Sequence, residues 1–193
     1  MTREEKRVHI IHSAIKVLSG HGLDGTKMEL VAKKAGIGKG TIYEYFASKE
    51  QLFQEMIIYC VESYSRGLRE NMDKGNGIEK KLLNYTSYSI DFFNKNLDML
   101  LMVIQMNVFS QKMREQIIEQ GLIISRYCGD MVAKARAQGE LRSDLDPELA
   151  SFLINGTIEQ YTKQKVYCRK DSLNQPEQPD YRGLVDLMLR GLR

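Results

Sequence analysis

The sequence predicts an all-α protein with a small N-terminal three-helix domain and a larger helical domain after it. Apolar residues recur at spacings of three and four along almost the whole chain, which is the pattern of amphipathic helices. No run of four to eight residues alternates strictly between apolar and polar, as a half-buried strand would. The 193 residues are enough for one large or two small domains.

The first predicted helix begins at a capping box, in which Thr2 and Glu5 satisfy each other's backbone N–H groups. It ends at Gly20 and Gly22, because glycine adopts the backbone conformations that stop a helix. One buried stripe runs along this helix and consists of Val8, Ile11, Ile15 and Leu18.

Two further capping boxes mark the next helix starts. The first precedes a helix of about nine residues that stops at Gly36, and the second opens a longer helix. A short segment, residues 39–46, lies between these two helices. The boxes are Thr26 with Glu29 and Ser48 with Gln51.

The rest of the chain continues the helical pattern. A turn is predicted at 74–77, and Asp146 with Pro147 gives an N-cap followed by proline at the first helical position. Residues 172–180 contain two prolines and are predicted to be a loop. The predicted helices cover 78–93, 97–109, 113–137, 147–161 and 181–192.

Composition argues against membrane and secreted classes. The longest apolar run is the six residues 99–104, whereas a membrane span needs about 18. The N-terminus lacks the apolar core of a signal peptide, so we expect a cytoplasmic protein without a membrane partner. We interpret Cys60, Cys128 and Cys168 as reduced, mostly packed thiols, because they are far apart and odd in number.

The positive charge of the chain is concentrated in one segment. Residues 26–49 contain five lysines and two glutamates, which gives +3, the net charge of the whole chain. Such a cluster is typical either of a solvated helix face or of a small anion-binding module. Within it, Lys33 and Lys34 face solvent or reach phosphates flanking a bound duplex.

Residues 26–46 have the arrangement of a helix-turn-helix. A capped helix, the turn Gly36-Ile37-Gly38 and a second short helix follow one another. At 100° per residue, Ile42 and Phe46 face the core, while Gly40 and Glu44 point away. The missing side chain of Gly40 would let the backbone approach DNA closely. The candidate DNA-binding residues are Thr26, Lys27, Lys39, Gly40, Thr41, Tyr43, Tyr45 and Lys49.

The stretch from Gly22 to Leu52, including Ala35-Gly36-Ile-Gly-Lys39-Gly40-Thr41-Ile-Tyr43, closely resembles the N-terminal domain of the tetracycline-repressor (TetR) family. The resemblance covers roughly residues 5–55, and a weaker one lies at 139–147. It implies a helix-turn-helix DNA-binding domain over 1–47 and an effector-binding and dimerisation domain over 48–193. It also implies a homodimer that binds a pseudo-palindromic operator. The distance between its two DNA-binding domains, called heads below, changes when a small-molecule effector binds.

Three positions depart from the family pattern. Gly38 stands where serine is common, Ala47 where lysine or proline is frequent, and Glu44 where an aromatic residue or histidine is frequent. A carboxylate at position 44 can accept from cytosine N4 but is repelled by phosphates. The operator sequence is therefore not predicted.

A methionine-rich stripe in the middle of the chain has two interpretations. It is either ordinary core or an adaptable pocket for a medium-sized, largely apolar ligand, because methionine repacks around differently shaped guests. The candidate ligand-binding residues are Phe92, Met99, Met102, Met106, Phe109, Tyr127 and Cys128. A second hypothesis for Cys128 is a role as an oxidant sensor.

No catalytic or metal-binding pattern is present in the sequence. It lacks the GxSxG, P-loop and HExxH motifs, and His9 and His12 have no acidic or cysteine partner at ligand spacing. We therefore expect no enzymatic activity, no cofactor and no metal. The function we expect is a ligand-responsive DNA-binding transcriptional regulator, most often a repressor; the alternative is a ligand-binding or scaffold protein with a degenerate head.

The dimer interface is predicted around 147–168 and 181–192. The terminal stripe from Tyr181 to Leu192 is apolar at i, i+3, i+4, i+7, i+8 and i+11, and a helix this short needs a packing partner. A four-helix contact between two chains would supply one.

Overall fold

The computed structural model describes residues 1–97, 110–171 and 179–192, with side chains described up to residue 166 in the second range. Within these ranges it contains helices and no strand, so the all-α prediction is confirmed. No helix among the described residues is long and apolar enough to cross a membrane. The helices are α1 (Arg3–Gly25), α2 (Met28–Lys34), α3 (Lys39–Tyr45), α4 (Lys49–Asp73), α5 (Gly77–Lys95), α6 (Gln111–Ala137), α7 (Pro147–Asp171) and α8 (Tyr181–Leu192).

The chain forms two compact units, and α4 contributes to both. Unit 1 contains residues 1–62 and the described residues between Asn96 and Ile117, and unit 2 contains Ser63–Lys95 and the described part of Ile118–Arg193. Unit 1 extends beyond residue 47 because the apolar face of the first half of α4 completes its core. The division into functional domains at 47/48 stays a prediction.

The predicted start of α1 is confirmed. The Thr2 hydroxyl accepts from Glu5 N at 3.1 Å, and Thr2 N donates to the Glu5 carboxylate at 2.7 Å, which completes the capping box. Gly22 has φ +67°, so the helix is irregular there and its last residue is Gly25.

The second predicted capping box is wrong. Lys27 is the N-cap of α2, and Thr26 is buried with its hydroxyl donating to Gly22 O at 2.7 Å. A threonine hydroxyl readily bonds to the carbonyl four residues earlier, and this competes with capping. The third box is partly confirmed, because Gln51 N donates to Ser48 Oγ but the Gln51 side chain accepts from Ala47 N.

The turn between α2 and α3 is built on Gly36. This residue has φ +68°, Gly36 N donates to Lys33 O and Ile37 N donates to Ala32 O, so α2 ends in a Schellman motif. The predicted stop at Gly36 is thus confirmed. It fixes where α3 begins relative to α2.

The core of unit 1 is formed by one face of each helix from α1 to α4. Ile42 and Phe46 are fully buried in it, and Met113 from the start of α6 is buried there as well. The other fully buried members include Ile10, Ala14, Val31, Leu52 and Met56.

Unit 2 packs α5 against α7 and α8. Leu149 N donates to the Asp146 carboxylate, so the predicted N-cap of α7 is confirmed. Glu140 accepts from Ile78 N at 2.8 Å and caps α5 from 62 residues away. The buried core of this unit includes Leu68, Met72, Ile78, Leu82, Met131, Val132, Ile154 and Ile158.

The apolar stripe of α8 has its packing partner within the chain, contrary to the prediction that a second copy covers it. Its residues Val185, Met188, Leu189 and Leu192 are buried in the core of unit 2. The large apolar side chains of α7 and α8 that are exposed, as far as side chains are described there, are Leu149, Phe152, Leu153 and Leu187. The predicted helix over 97–109 lies outside the described residues, apart from its first residue.

Candidate nucleic-acid interface

The buried and exposed faces of α3 are those that its periodicity predicts. Ile42 and Phe46 are fully buried, whereas Gly40, Tyr43 and Glu44 are exposed. A Cβ built on Gly40 would meet no heavy atom within 4 Å, so the space outside this position is open. The backbone of α3 is therefore accessible at Gly40, with Thr41 half-buried beside it.

The N-terminus of α3 has no side-chain cap. Gly38 is the N-cap residue, with φ −70° and ψ 154°, and no side chain caps the helix there. The first backbone N–H groups therefore stay available at the exposed end of the helix.

Lys39 begins α3 and forms an exposed ion pair with Glu29 of α2. Lys39 Nζ lies 2.5 Å from a Glu29 carboxylate oxygen. This hydrogen bond raises the pKa of Lys39 and lowers the pKa of Glu29. Because both side chains are largely in water, the pair is weak and the Lys39 ammonium group stays accessible.

Tyr45 lies at the C-terminal end of α3 and is bordered by two cations of α1. Arg3 Cζ is 5.9 Å and Lys6 Nζ is 5.8 Å from the centre of its ring. The Tyr45 carbonyl accepts from Arg7 Nη1 at 3.0 Å. The first turns of α1 thus lie directly against α3.

Arg7 is a positioning residue that no pattern in the sequence indicated. Its guanidinium donates to Glu55 of α4 through Nε at 2.8 Å and through Nη2, and it lies 4.7 Å from the centre of the Phe46 ring. It therefore joins α1, α4 and the end of α3. The two partners are 48 positions apart, and no local spacing reveals such a pair.

The structure assigns Thr26 and Lys49 to internal contacts. The Thr26 hydroxyl bonds to Gly22 O inside the protein, so this side chain does not belong to the exposed surface. Lys49 Nζ donates to Leu23 O at 3.1 Å and lies 5.0 Å from the centre of the Phe53 ring. Lys27, by contrast, is exposed at the start of α2.

Two histidines of α1 hold α1, α2 and α4 together. His9 Nε2 lies 3.2 Å from Ala35 O at the end of α2, and His12 Nε2 lies 2.5 Å from Tyr59 Oη of α4. Burial, with Lys16 and His9 nearby, lowers the pKa of His12. Among the described residues, no three histidine, cysteine, aspartate or glutamate side chains are grouped so that they could hold a metal ion.

Three of the candidate ligand-binding residues lie in unit 2. Phe92 belongs to an aromatic cluster, and its ring centre is 5.1 Å from that of Tyr64 and 5.8 Å from that of Phe93. Tyr127 and Cys128 pack at the core of unit 2, as does Tyr64. Tyr64 thus links the two groups, although in the sequence it is only one more residue of a helical stripe.

The candidate residues Tyr127 and Cys128 already have protein partners. The Tyr127 hydroxyl donates to Asp73, and Cys128 Sγ donates to Asn155 Oδ1 at 3.1 Å. Burial raises the pKa of Cys128 to about 12, which disfavours a thiolate and argues against the oxidant-sensor hypothesis. The candidates Met99, Met102, Met106 and Phe109 lie outside the described residues.

Comparisons with known proteins agree with this geometry. Residues 10–56 match the family model described as bacterial regulatory proteins, tetR family. The uncharacterized HTH-type transcriptional regulator YhgD of Bacillus subtilis is 27% identical over 80% of both chains. The fatty acid metabolism regulator protein of the same species is 27% identical over 82% of both chains.

A solved structure has the same fold. The transcriptional regulator FadR from Bacillus subtilis, crystallised in complex with stearoyl-CoA, superposes with a TM-score of 0.66 and 22% identity over 95% of both chains. Together with the exposed α3, the family model and the two relatives show that residues 10–56 form a helix-turn-helix of the tetR type and that the chain is a DNA-binding transcriptional regulator.

Proposed function

We propose that the chain is a repressor that binds a pseudo-palindromic operator as a homodimer and leaves it when a small, largely apolar molecule binds. Residues 1–47 would bind the DNA, and residues 48–193 would bind the effector and the second copy. The observation that carries the proposal is the open face of α3, where a Cβ built on Gly40 meets nothing within 4 Å and Tyr43 is 46% exposed beside the fully buried Ile42.

Six residues form the proposed DNA contact set: Lys27, Lys39, Gly40, Thr41, Tyr43 and Tyr45. The lysines supply positive charge for phosphates or guanine, while the threonine and tyrosines donate hydrogen bonds and contact thymine methyl groups. Thr26 is removed from the set, since its hydroxyl is buried. Lys49 acts indirectly in this proposal, because its bond to Leu23 O holds the start of α4 against the end of α1.

The test of DNA binding is selection from a random duplex library at physiological salt, followed by titration of the selected duplex. A palindromic site and a steep, log-linear fall of affinity with salt are expected, with a slope of about −0.9 per phosphate contact. A flat salt response would favour the alternative, a scaffold protein whose head no longer binds DNA.

The proposed effector is a molecule with a long apolar part. The rings of Tyr64, Tyr88, Phe92 and Phe93 form a cluster in unit 2 whose neighbouring ring centres are 5.1 to 6.0 Å apart, and they supply an apolar wall. One relative is named for fatty acid metabolism, and FadR was crystallised with stearoyl-CoA. A long-chain acyl-CoA, whose acyl chain is the apolar part and whose coenzyme A part is polar and charged, is therefore the first ligand class to test.

The ligand test measures operator affinity with stearoyl-CoA, with coenzyme A alone as the matched control. If the effector favours the released conformation, operator affinity should fall about 5- to 150-fold, which corresponds to a coupling of about 1–3 kcal/mol. Coenzyme A should have no effect. Equal affinities with and without stearoyl-CoA would exclude this ligand class and leave DNA binding untouched.

The proposed dimer interface is the exposed apolar face of α7 and α8, covered by the same face of a second copy. On α7, Leu149, Phe152 and Leu153 fall on one side of the helix at spacings of three and four and are 69%, 57% and 50% exposed, and Leu187 of α8 is 70% exposed. Large apolar side chains left at a surface are typical of an interaction site. In an isologous contact the same surface of both copies takes part, so each of these side chains is buried in both copies. A charged residue introduced at this face should dissociate the dimer. A charged residue introduced at an exposed apolar position elsewhere should leave the dimer intact.

The matched variants are Phe152→Glu and, on α6, Ile118→Glu, whose parent residue is 61% exposed. We expect Phe152→Glu to sediment as a monomer at micromolar concentration and Ile118→Glu to sediment as the dimer. A wild-type chain that sediments as a monomer would contradict the proposed interface.

A further inference from the structure

The start of α1 carries three basic residues on one face. At 100° per residue, Arg3, Lys6 and Arg7 fall within an arc of about 100°, whereas Glu4 and Glu5 point elsewhere. The capping box of Thr2 and Glu5 makes this turn a defined part of the helix. The face is the one that lies against α3, as the contacts of Arg7 show.

The three cations have different surroundings. Arg7 is neutralised by Glu55, to which it is joined by two hydrogen bonds. Among the described residues, neither Arg3 nor Lys6 has a carboxylate within ion-pair distance. Both instead lie within 6 Å of the ring centre of Tyr45.

We propose that Arg3 and Lys6 form a second contact surface for DNA, binding backbone phosphates beside the groove that α3 enters, with the Tyr45 ring placing both. The inference rests on the proposed DNA binding by α3. Phosphate is the chemistry that fits, because two neighbouring cations without acidic partners attract an anion and the adjacent proposed contact, Tyr45, already places the duplex there.

This surface would add affinity without adding sequence preference. Contacts to phosphates position a protein on the duplex and are the same for every sequence. They release counterions, so their removal should lower the salt dependence of binding. A contact to bases would instead change the preference among sequences.

The experiment uses the full chain and two duplexes of equal length, one selected by the wild type and one of random sequence. Affinity is measured by fluorescence anisotropy between about 50 and 200 mM salt. The test variant is Arg3→Gln with Lys6→Gln, and the control is Lys16→Gln, which is exposed on another side of α1. Circular dichroism checks that each variant is folded.

For the double variant we expect the salt slope to fall by about 0.9 for each phosphate contact that the substitutions remove, on both duplexes alike. The control should keep the wild-type slope.

Two outcomes would overturn this inference and leave the proposed DNA binding by α3 in place. One is a wild type that binds the selected duplex while the double variant keeps its salt slope. The other is a weakening confined to the selected duplex, which would indicate base contacts. A wild type that binds neither duplex would overturn the proposed DNA binding itself.

Discussion

Arg7 and Glu55 join the first helix of the chain to the fourth, with Arg7 Nε 2.8 Å from one carboxylate oxygen and Nη2 bonded to the other. The side chains are 28% and 24% exposed, so the pair is largely shielded from water. Because Arg7 also bonds to Tyr45 O, it sets where α3 ends relative to the two longer helices.

We predict that Arg7→Lys lowers the free energy of unfolding by about 2 kcal/mol, since lysine cannot reproduce the paired hydrogen bonds. Chemical denaturation followed by circular dichroism measures this. Arg66→Lys, at an exposed position of α4, serves as control and should be neutral. Equal midpoints for the two variants would contradict the assigned role.

Tyr43→Ala should weaken operator binding about tenfold without changing stability, because the side chain is 46% exposed and its removal leaves the core intact. Anisotropy and thermal unfolding are measured on the same sample. Wild-type affinity in this variant would remove Tyr43 from the DNA contact set.

Lys49→Ala should behave differently from Tyr43→Ala. Lys49 ties the end of α1 to the start of α4 through Leu23 O, so its removal should lower stability by about 1 kcal/mol as well as weaken DNA binding. If Lys49→Ala weakens DNA binding at unchanged stability, Lys49 acts directly on phosphate and the internal contact is incidental.

Gly38→Ser should stabilise the head by a few tenths of a kcal/mol up to about 1 kcal/mol. The backbone of Gly38 suits an N-cap, and a Cβ there would meet only Thr41 Oγ1 at 3.8 Å. Gly38→Ala is the control, since it restricts the unfolded chain equally but offers no oxygen to the first turn of α3. Equal stabilities of the two variants would show that no cap forms.

Cys60 and Cys128 should react slowly with iodoacetamide at about pH 8 in the folded protein. Burial raises the pKa of the two thiols to about 11 and about 12, so little thiolate is present. The protonated thiols stabilise the fold fully below pH 9.0, the ordinary thiol pKa, and this contribution is lost as the pH rises towards 12. Native labelling of Cys128 as fast as in the denatured chain, followed by mass spectrometry, would contradict this.

Features that depend on neighbouring residues could be predicted from the sequence. The capping box at Thr2, the stop at Gly36 and the inward face of Ile42 and Phe46 follow from local spacing, and each is confirmed. The predicted box at Thr26 is wrong because two local bonds compete for the same hydroxyl, and the one to Gly22 O forms.

Contacts between distant positions could not be predicted in this way. The pair of Arg7 with Glu55 depends on how α1 and α4 cross, and no periodicity encodes that. The sequence predicts that the α8 stripe needs a packing partner, and it has one, but the partner lies within the same chain. The described apolar residues that stay exposed are on other faces of α7 and α8. The site residues within 98–109 stay predictions.

The hydrogen bond from Ile78 N to Glu140 can form only late in the synthesis of the chain. The backbone N–H at the start of α5 obtains this carboxylate only after 62 further residues have been added. At about 5–20 residues per second, that delay is roughly 3–12 s of translation. During this interval the start of α5 depends on water, whereas the cap of α1 and the motif that ends α2 are complete as soon as their own segments emerge.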